Sequence, residues 1–228
     1  MLNKISMFFS KGAFFMILSA GSFCMMTVFV KLAGDSLPTI QIVFVRGLFT
    51  LLITGFFLLK AKINPLGKNK RLLTARGLSG TIALFLVYES IQSFPLSEAT
   101  VIQYLYPLFT AMIAAALISE TVDRNILIGL FAGFFGVYAI LGFPFLSDSY
   151  LDIESLAIAV CGSFLTGLAY VLVRKATSLN EHPLVVMFYF PFFTVPICLP
   201  FLLSVWEHPS LLEWCYLFFV GLFTQFGQ

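Results

Sequence analysis

Long apolar stretches with few charges run through this chain and restrict the folds that it can adopt. A helix needs about 20 mostly apolar residues to cross the hydrocarbon core of a membrane. Seven stretches come close to that length, at residues 12–31, 40–59, 73–94, 99–119, 125–142, 155–173 and 184–203, and an eighth, at 212–228, continues to the last residue. Lipid cannot satisfy an unpaired backbone group, and the stretches lack the alternation of barrel strands. We therefore predict an all-α fold, a polytopic bundle of transmembrane helices.

The composition excludes several classes of function. Hydrophobic residues make up 60% of the chain and charged residues only 11%, whereas soluble domains have about 25% charged residues. The net charge of +2 gives no reason to expect nucleic acid as a partner, so membrane lipid is the predicted environment. No H-E-x-x-H motif occurs, and His182 and His208 both fall between apolar stretches, where they cannot serve an intramembrane protease. We therefore predict no enzyme activity, no metal site and no cofactor.

Basic residues are concentrated in alternate connections between the predicted helices. If the N-terminus is cytoplasmic, the outer connections contain only Lys31, and Arg46 lies within the second helix. The other basic residues of the 13 then all lie on the inner side: Lys4, Lys11, Lys60, Lys62, Lys68, Lys70, Arg71, Arg76, Arg124, Arg174 and Lys175. Because cytoplasmic loops carry an excess of Lys and Arg, we predict a multi-pass protein of the inner (plasma) membrane with a cytoplasmic N-terminus.

The sequence matches itself without gaps at an offset of 144 residues. The aligned pairs include polar and small residues as well as apolar ones, such as Ser19 with Ser163, Lys31 with Lys175, Thr50 with Thr194, and Gly77 with Gly221. Each period contains five predicted helices, and an odd number makes the second copy enter the membrane from the opposite side. We therefore predict an inverted repeat, with a first copy at 1–142 and a C-terminally incomplete second copy at 153–228, from an expected ten helices.

The residues around the fourth predicted helix form a distinctive pattern. Residues 95–111 read PLSEATVIQYLYPLFTA, and Glu120 and glycines at 129, 133 and 136 follow them. Together with Arg46 in the second helix, this pattern resembles the EamA-type branch of the drug/metabolite transporter superfamily. The resemblance implies a secondary transporter that moves a small organic metabolite (an amino acid, a nucleotide-linked metabolite or a drug-like solute) by alternating access. We predict that Glu120 caps the fifth helix or pairs with a basic residue, with a gating role as the alternative.

Polar side chains at a similar depth in three predicted helices define a candidate substrate or proton cavity. Arg46 lies roughly 9 Å below the outer start of the second helix, at 1.5 Å of rise per residue. Glu89 lies at a similar depth in the third helix, and Gln103 and Tyr104 in the fourth. We predict that Glu89 binds a coupling proton, and that Arg46 neutralises it or holds an anionic substrate group. Pro107 removes a backbone hydrogen bond and bends the fourth helix, as a hinge or as a packing kink.

The residues leave alternatives open. Arg46 and Glu89 could instead form a static ion pair that joins two helices, or Arg46 could extend to the membrane interface. The chain could also be a non-transporting membrane scaffold or a truncated, inactive transporter, since the second copy has no counterparts of the fourth and fifth helices. The predicted partners are a small-molecule substrate and lipid, with a homodimer as an alternative to a monomer.

An inverted repeat places the equivalent connections at Pro65 and Pro209 on opposite faces of the membrane. With the four native cysteines replaced, we expect Pro209→Cys to react with a membrane-impermeant maleimide in intact cells, and Pro65→Cys to react only in opened membranes. Labelling of both from the same face would contradict the inverted repeat, whereas exchanged labelling would contradict only the orientation.

Overall fold

The computed structural model describes residues 11–118, 124–140 and 153–227, and every regular element within them is an α-helix. The helices are α1 (Lys11–Gly34), α2 (Thr39–Lys60), α3 (Lys70–Ser93), α4 (Leu96–Gln103), α5 (Tyr106–Ile118), α6 (Arg124–Ile140), α7 (Ile153–Ser178), α8 (Pro183–Val205) and α9 (Leu211–Gly227). Turns rich in Gly, Pro, Ser and Asn separate several of them, because these residues favour turns over helix. The prediction of an all-α polytopic bundle is confirmed.

Most of the helices are long enough to cross a membrane. Among the described residues, six segments have the required length and hydropathy: α1, α2, α3, the combined α4 and α5, α7 and α8. The apolar parts of α6 and α9 are shorter, at Leu127–Gly136 and Leu211–Gly227. The helix bounds agree with the predicted spans to within a few residues at most ends, which is the usual accuracy for such boundaries.

The fourth predicted span is divided into two helices. Helix α4 ends at Gln103 and α5 begins at Tyr106, immediately before Pro107. Proline is accommodated in the first turn of a helix, where its missing N–H is not needed. The Leu108 N–H donates to the Leu105 carbonyl at 3.1 Å, which starts a new turn instead of continuing α4. The bend expected at Pro107 is therefore a break in the helix just before this residue.

Helices α2 and α8 pack against each other in opposite directions at the centre of the bundle. Near the start of α2, the Gln41 side chain donates to the Glu207 carbonyl, just beyond the end of α8, at 2.8 Å. Further along α2, a Cβ on Gly47 would lie 3.1 Å from the methyl group of Thr194, in the middle of α8. Near the end of α2, Gly55 faces Phe188, near the start of α8. Two aligned helices that run antiparallel are what an inverted repeat requires.

Glycines let aligned helices approach each other through matching contacts. A Cβ added to Gly77 on α3 would lie 2.5 Å from Cδ2 of Phe193 and 2.7 Å from the Tyr189 carbonyl oxygen. A Cβ added to Gly221 on α9 would lie 2.8 Å from Cγ of Phe49. Gly77 aligns with Gly221, and Phe49 with Phe193, at the offset of 144 residues. The same contact therefore occurs twice, and α3 packs along α7 as α9 packs along α1.

The connections gather at two opposite ends of the bundle. At one end, the Glu181 carboxylate accepts hydrogen bonds from the backbone N–H groups of Lys68, at 2.9 Å, and Asn69, at 2.5 Å, just before α3 begins. At the other end, Ser36 bonds to Glu213 across the starts of α2 and α9. The end that contains Glu181 also contains most of the described basic residues: Lys60, Lys62, Lys68, Lys70, Arg71, Arg174 and Lys175. Helices α2 and α3 therefore begin at opposite ends.

Lys31, which the sequence analysis places on the outer side, has a structural role. Its ammonium group donates to the carbonyl oxygens of Ile91 at 2.7 Å, Gln92 at 3.1 Å and Phe94 at 3.2 Å. These carbonyls end α3 and have no intrahelical partners, and the helix dipole makes them electronegative. Lys31 therefore caps α3 and joins α1 to it.

We expect Gly77→Ala and Gly221→Ala each to destabilise the protein by about 1–3 kcal/mol, because the added methyl group must displace a backbone carbonyl or a phenylalanine ring. Gly129→Ala on α6 is the matched control, since a Cβ there meets nothing within 4 Å and alanine favours a helix more than glycine does. Thermal unfolding in one detergent measures all three variants. Equal melting temperatures would show that the glycine contacts carry no packing constraint.

Candidate substrate site

Arg46 lies in the interior of the bundle, where four helices meet. It is the eighth residue of α2, and only 6% of its surface is exposed. Its Nε donates a hydrogen bond to the Thr224 hydroxyl on α9 at 3.0 Å. Its guanidinium carbon lies 5.5 Å from the ring centroid of Tyr88 on α3 and 5.7 Å from that of Phe190 on α8. One hydrogen bond and two aromatic rings therefore stabilise this cation.

The groups that contact Arg46 are themselves held in place. The Thr224 hydroxyl donates its only hydrogen to the Val220 carbonyl at 2.7 Å, so its oxygen is free to accept from Arg46. The Tyr88 side chain is 1% exposed, and its hydroxyl lies 3.5 Å from the Met26 sulfur on α1. Neither partner can move without disturbing the packing of its own helix, so the guanidinium position is defined from several sides.

Arg76 reaches the same aromatic ring from α3. Its guanidinium carbon lies 5.3 Å from the ring centroid of Phe190. Its Nε and Nη1 atoms are buried and have no hydrogen-bond partner, and the same is true of Nη1 of Arg46. A Cβ added to Gly80, one turn further along α3, would collide with Arg76 Nη1, so the glycine provides the space for this side chain. Two arginines therefore flank one phenylalanine with part of their donor capacity unused.

Five threonines on the four helices that meet at Arg46 are also buried. Thr50 and Thr54 on α2, Thr81 on α3, Thr194 on α8 and Thr224 on α9 are each at most 3% exposed. Oγ1 of Thr81 lies 2.8 Å from Oγ1 of Thr194, which joins α3 to α8 by a hydrogen bond. Small hydroxyl side chains are common between membrane helices because they bond their own backbone and allow close approach. The centre of the bundle is therefore polar, although its helices are apolar.

Tyrosine rings lie beside the break between α4 and α5. Tyr106, the first residue of α5, stacks on Tyr170 of α7 with 5.2 Å between the ring centroids and 22° between the planes. Tyr170 is 50% exposed, and it interacts electrostatically with Arg76. The break therefore brings aromatic hydroxyl groups to the side of the polar centre that contains Arg76.

The five residues predicted to form the site lie in different surroundings. Arg46 is central. Glu89 on α3, Gln103 at the end of α4 and Pro107 at the start of α5 are half-buried, whereas Tyr104 is 55% exposed in the break between α4 and α5. The Glu89 backbone carbonyl accepts a hydrogen bond from the Ser93 hydroxyl at 2.9 Å. A shared role for these residues in a substrate or proton cavity stays a prediction.

The surroundings of Arg46 match neither of its two alternative roles. Within the described residues, its side chain bonds to the Thr224 hydroxyl and packs on the Tyr88 and Phe190 rings, and no ion pair joins it to Glu89. Successive residues on a helix point about 100° apart, and Tyr88, not Glu89, faces α2. Nor does Arg46 extend to the membrane interface, since 94% of its surface is covered, as its exposure of 6% shows.

Arg76 and Thr224 are functional candidates that were not predicted from the sequence. The distribution of basic residues predicts Arg76 in the inner connection, but the structure places this residue within α3. The signal was present, because Arg76 lies inside the predicted span 73–94, as Arg46 lies inside 40–59. Thr224 carries no such signal, since a threonine in an apolar helix most often bonds its own backbone.

Part of the predicted machinery lies beyond the described residues. Glu120, predicted to cap the fifth helix, falls between α5 and α6, where the structure describes nothing from 119 to 123. Among the residues that it does describe, no group of three or more His, Cys, Asp or Glu side chains could hold a metal ion.

Membrane-length helices packed around two arginines with buried, unpaired nitrogens define an integral membrane protein with a polar centre, the architecture expected of a solute transporter. Residues 10–142 match the EamA-like transporter family, and the chain belongs to that family. The predicted resemblance is therefore confirmed. Family membership, together with the relatives described next, makes this protein a membrane transporter of small solutes.

Two of the relatives are named for different solutes, and a third is named as a solute carrier. The chain is 26% identical over 218 residues to the pseudopaline exporter CntI of Pseudomonas aeruginosa (strain UCBPP-PA14), covering 95% of this chain and 75% of the exporter. It is 24% identical over 221 residues to the S-adenosylmethionine uptake transporter of Rickettsia prowazekii (strain Madrid E), covering 96% and 74%. It is 29% identical over 231 residues to human solute carrier family 35 member G1, covering 95% and 63%.

A solved structure shares the fold. A protein crystal structure with 14% sequence identity superposes with a TM-score of 0.66 over 93% of this chain and 77% of that chain. Identity at this level supports the arrangement of the helices and no statement about substrate.

We expect Thr224→Val to lower stability by about 1–3 kcal/mol, because it leaves a further buried N–H of Arg46 without an acceptor. Thr27→Val on α1 is the matched control, since the Thr27 hydroxyl bonds only its own helix, at the Phe23 carbonyl (2.8 Å). Both variants lose one hydroxyl and keep the branched shape. A loss of melting temperature no larger in Thr224→Val than in Thr27→Val would show that the bond to Arg46 contributes nothing to stability.

Proposed function

We propose that this protein is a secondary transporter that moves a small organic metabolite across the inner membrane by alternating access. The observation that carries the proposal is the matched packing of α1–α3 against α7–α9, with α2 and α8 antiparallel at the centre. In transporters built from inverted repeats, the two copies can exchange conformations, so that a site between them opens to either side in turn.

The contacts around Arg46 support a site shared by the two proposed repeats, residues 1–142 and 153–228. Arg46 belongs to the first copy, and its hydrogen-bond partner Thr224 belongs to the second. Arg76 belongs to the first copy, and the ring that it packs on, Phe190, belongs to the second. A rocking motion of one copy against the other would change these contacts directly, which is how a substrate held there could be coupled to the motion.

The distribution of charge supports the orientation of the chain. The end with Glu181 contains Lys and Arg in or close to both of its described connections, whereas Lys31, close to the other end, is occupied in capping α3. An excess of basic residues marks the cytoplasmic side of inner-membrane proteins. The N-terminal end of α1 then faces the cytoplasm, because α1 ends on the side where α2 begins.

Flux measurements test transport itself. The purified protein is reconstituted into liposomes and offered radiolabelled amino acids, nucleotide-linked metabolites and S-adenosylmethionine, the solute named for the Rickettsia relative. We expect uptake that saturates with solute concentration and is accelerated by the same solute on the opposite side, because alternating access permits exchange. Uptake that is linear in concentration and shows no counterflow would indicate a channel, and no uptake of any of these solutes would contradict the proposal.

We further propose that Glu89 carries the coupling proton. It is a half-buried carboxyl on α3 beside Tyr88, which contacts Arg46. Carboxyl groups within membrane helices are costly and commonly form proton relays. We expect Glu89→Gln to abolish the stimulation of uptake by an imposed pH gradient while exchange of solute continues. Glu98→Gln, a half-buried glutamate at the start of α4, is the control. Stimulation that persists in Glu89→Gln would exclude Glu89 as the proton site.

A further inference from the structure

Unused hydrogen-bond donors are concentrated at one place in the bundle. Within the described residues, four buried side-chain nitrogen or oxygen atoms lack a hydrogen-bond partner, and three of them belong to Arg46 and Arg76. The fourth is Nε2 of Gln225, the neighbour in sequence of Thr224. Native proteins satisfy the large majority of buried polar atoms, so a cluster of exceptions calls for an explanation.

The charge of the two arginines makes the exception costly. A buried cation normally has an anionic partner, because removing it from water costs several kcal/mol. Among the described residues, Arg46 hydrogen-bonds to a hydroxyl and to no carboxylate, and the buried Nε and Nη1 of Arg76 have no hydrogen-bond partner. Phe190 contacts both guanidinium groups, but an aromatic ring offers each of them only about 0.5–2 kcal/mol. Neither cation therefore has an anionic partner among the described residues.

The two guanidinium groups approach one point from opposite ends of the bundle. Arg46 follows the start of α2 by about 10.5 Å of helix rise, and Arg76 follows the start of α3 by about 9 Å. Their carbons lie 5.7 Å and 5.3 Å from the centroid of the Phe190 ring, so they are no further apart than the sum of these distances. Guanidinium forks bind carboxylate and phosphate oxygens in pairs, with short charge-assisted hydrogen bonds.

We propose that Arg46 and Arg76 form a two-arginine clamp that binds the carboxylate or phosphate group of an anionic solute at the centre of the bundle. The role of the clamp rests on the proposed transport function, because the clamp specifies which class of substrate the same site binds. The buried, unused nitrogens of both residues are the donors, and both guanidinium groups lie against the Phe190 ring.

The repeat explains why both charges can be in one copy. At the offset of 144, Arg46 aligns with Phe190, and Gly80, which makes space for Arg76, aligns with Thr224. The first copy therefore supplies the cations and the space, whereas the second supplies the aromatic surface and the hydroxyl acceptor. If both copies carried both arginines, the centre would contain four cations, which is more charge than one anionic group neutralises.

Inorganic phosphate is the probe that tests the clamp without a known substrate. The wild type, Arg46→Gln, Arg76→Gln and the control Arg71→Gln, an exposed arginine in the first turn of α3, are purified in an uncharged detergent. Thermal unfolding is followed while phosphate replaces chloride at constant ionic strength. Ligands that bind only the folded state raise the melting temperature with concentration, which yields an apparent Kd for each protein.

We expect phosphate to stabilise the wild type and Arg71→Gln equally, and to bind Arg46→Gln and Arg76→Gln about 10- to 100-fold more weakly, because each loses a charge-assisted bond. No stabilisation of the wild type, or the same stabilisation in all four proteins, would overturn the clamp. If a glutamine variant aggregates, Arg46→Lys and Arg76→Lys replace it: they keep the charge, lose the fork, and are expected to bind phosphate more weakly with the fold intact.

Two further experiments distinguish a bound solute from a lipid headgroup, and the clamp from the transport function. Stabilisation by phosphate is compared in nanodiscs of phosphatidylglycerol and of phosphatidylcholine. If phosphate fails to stabilise the protein only in phosphatidylglycerol, the site binds a lipid headgroup, and the proposal of a solute site is overturned. In flux assays, phosphate-dependent stabilisation without any saturable flux would contradict transport and leave the clamp standing. Flux that is equal in Arg46→Gln, Arg76→Gln and the wild type would contradict the clamp alone.

Discussion

A guanidinium group enclosed by apolar helices has no water to solvate it, and the centre of this bundle is organised around that requirement. Arg46 receives an acceptor from Thr224 on α9 and aromatic rings from Tyr88 on α3 and Phe190 on α8. Each contact comes from a different helix. One charged side chain therefore couples the positions of four helices, two from each proposed repeat.

Glycines allow the close packing of helices that these contacts require. Lipid offers no hydrophobic force between helices, so they associate through close van der Waals contact and hydrogen bonds. Gly77 and Gly221 receive phenylalanine rings at aligned positions, and Gly80 receives the side chain of Arg76. The glycines bring the repeats together, and the resulting short distances place two cations on one ring. Well-packed residues whose polar atoms lack hydrogen-bond partners are typical of functional sites, where the usual rules for stable structure are broken.

Some features of this protein could be predicted from its sequence, and others could not. The spans were predictable because the thickness of a membrane converts directly into a length of apolar sequence. Arg46 was predictable because an isolated charge in an apolar stretch is rare. Arg76 was assigned to a connection, since basic residues flank most spans and the ends of helices are uncertain by a few residues. The neighbours of Glu89 and Tyr104 were not predictable, because the rotation of a helix about its axis depends on what it packs against.

The sequence by itself determined that the chain is a bundle of membrane helices, that basic residues gather at one end, and that aligned segments recur at an offset of 144. Apolar length, charge and repetition along the chain are enough for these features. Only the tertiary structure decided that Tyr88 rather than Glu89 faces Arg46, and that Arg76 and Arg46 share Phe190. The Arg46–Thr224 bond joins residues 178 apart in the chain. Contacts at such separation depend on the depth and rotation of whole helices, which packing sets and local sequence does not.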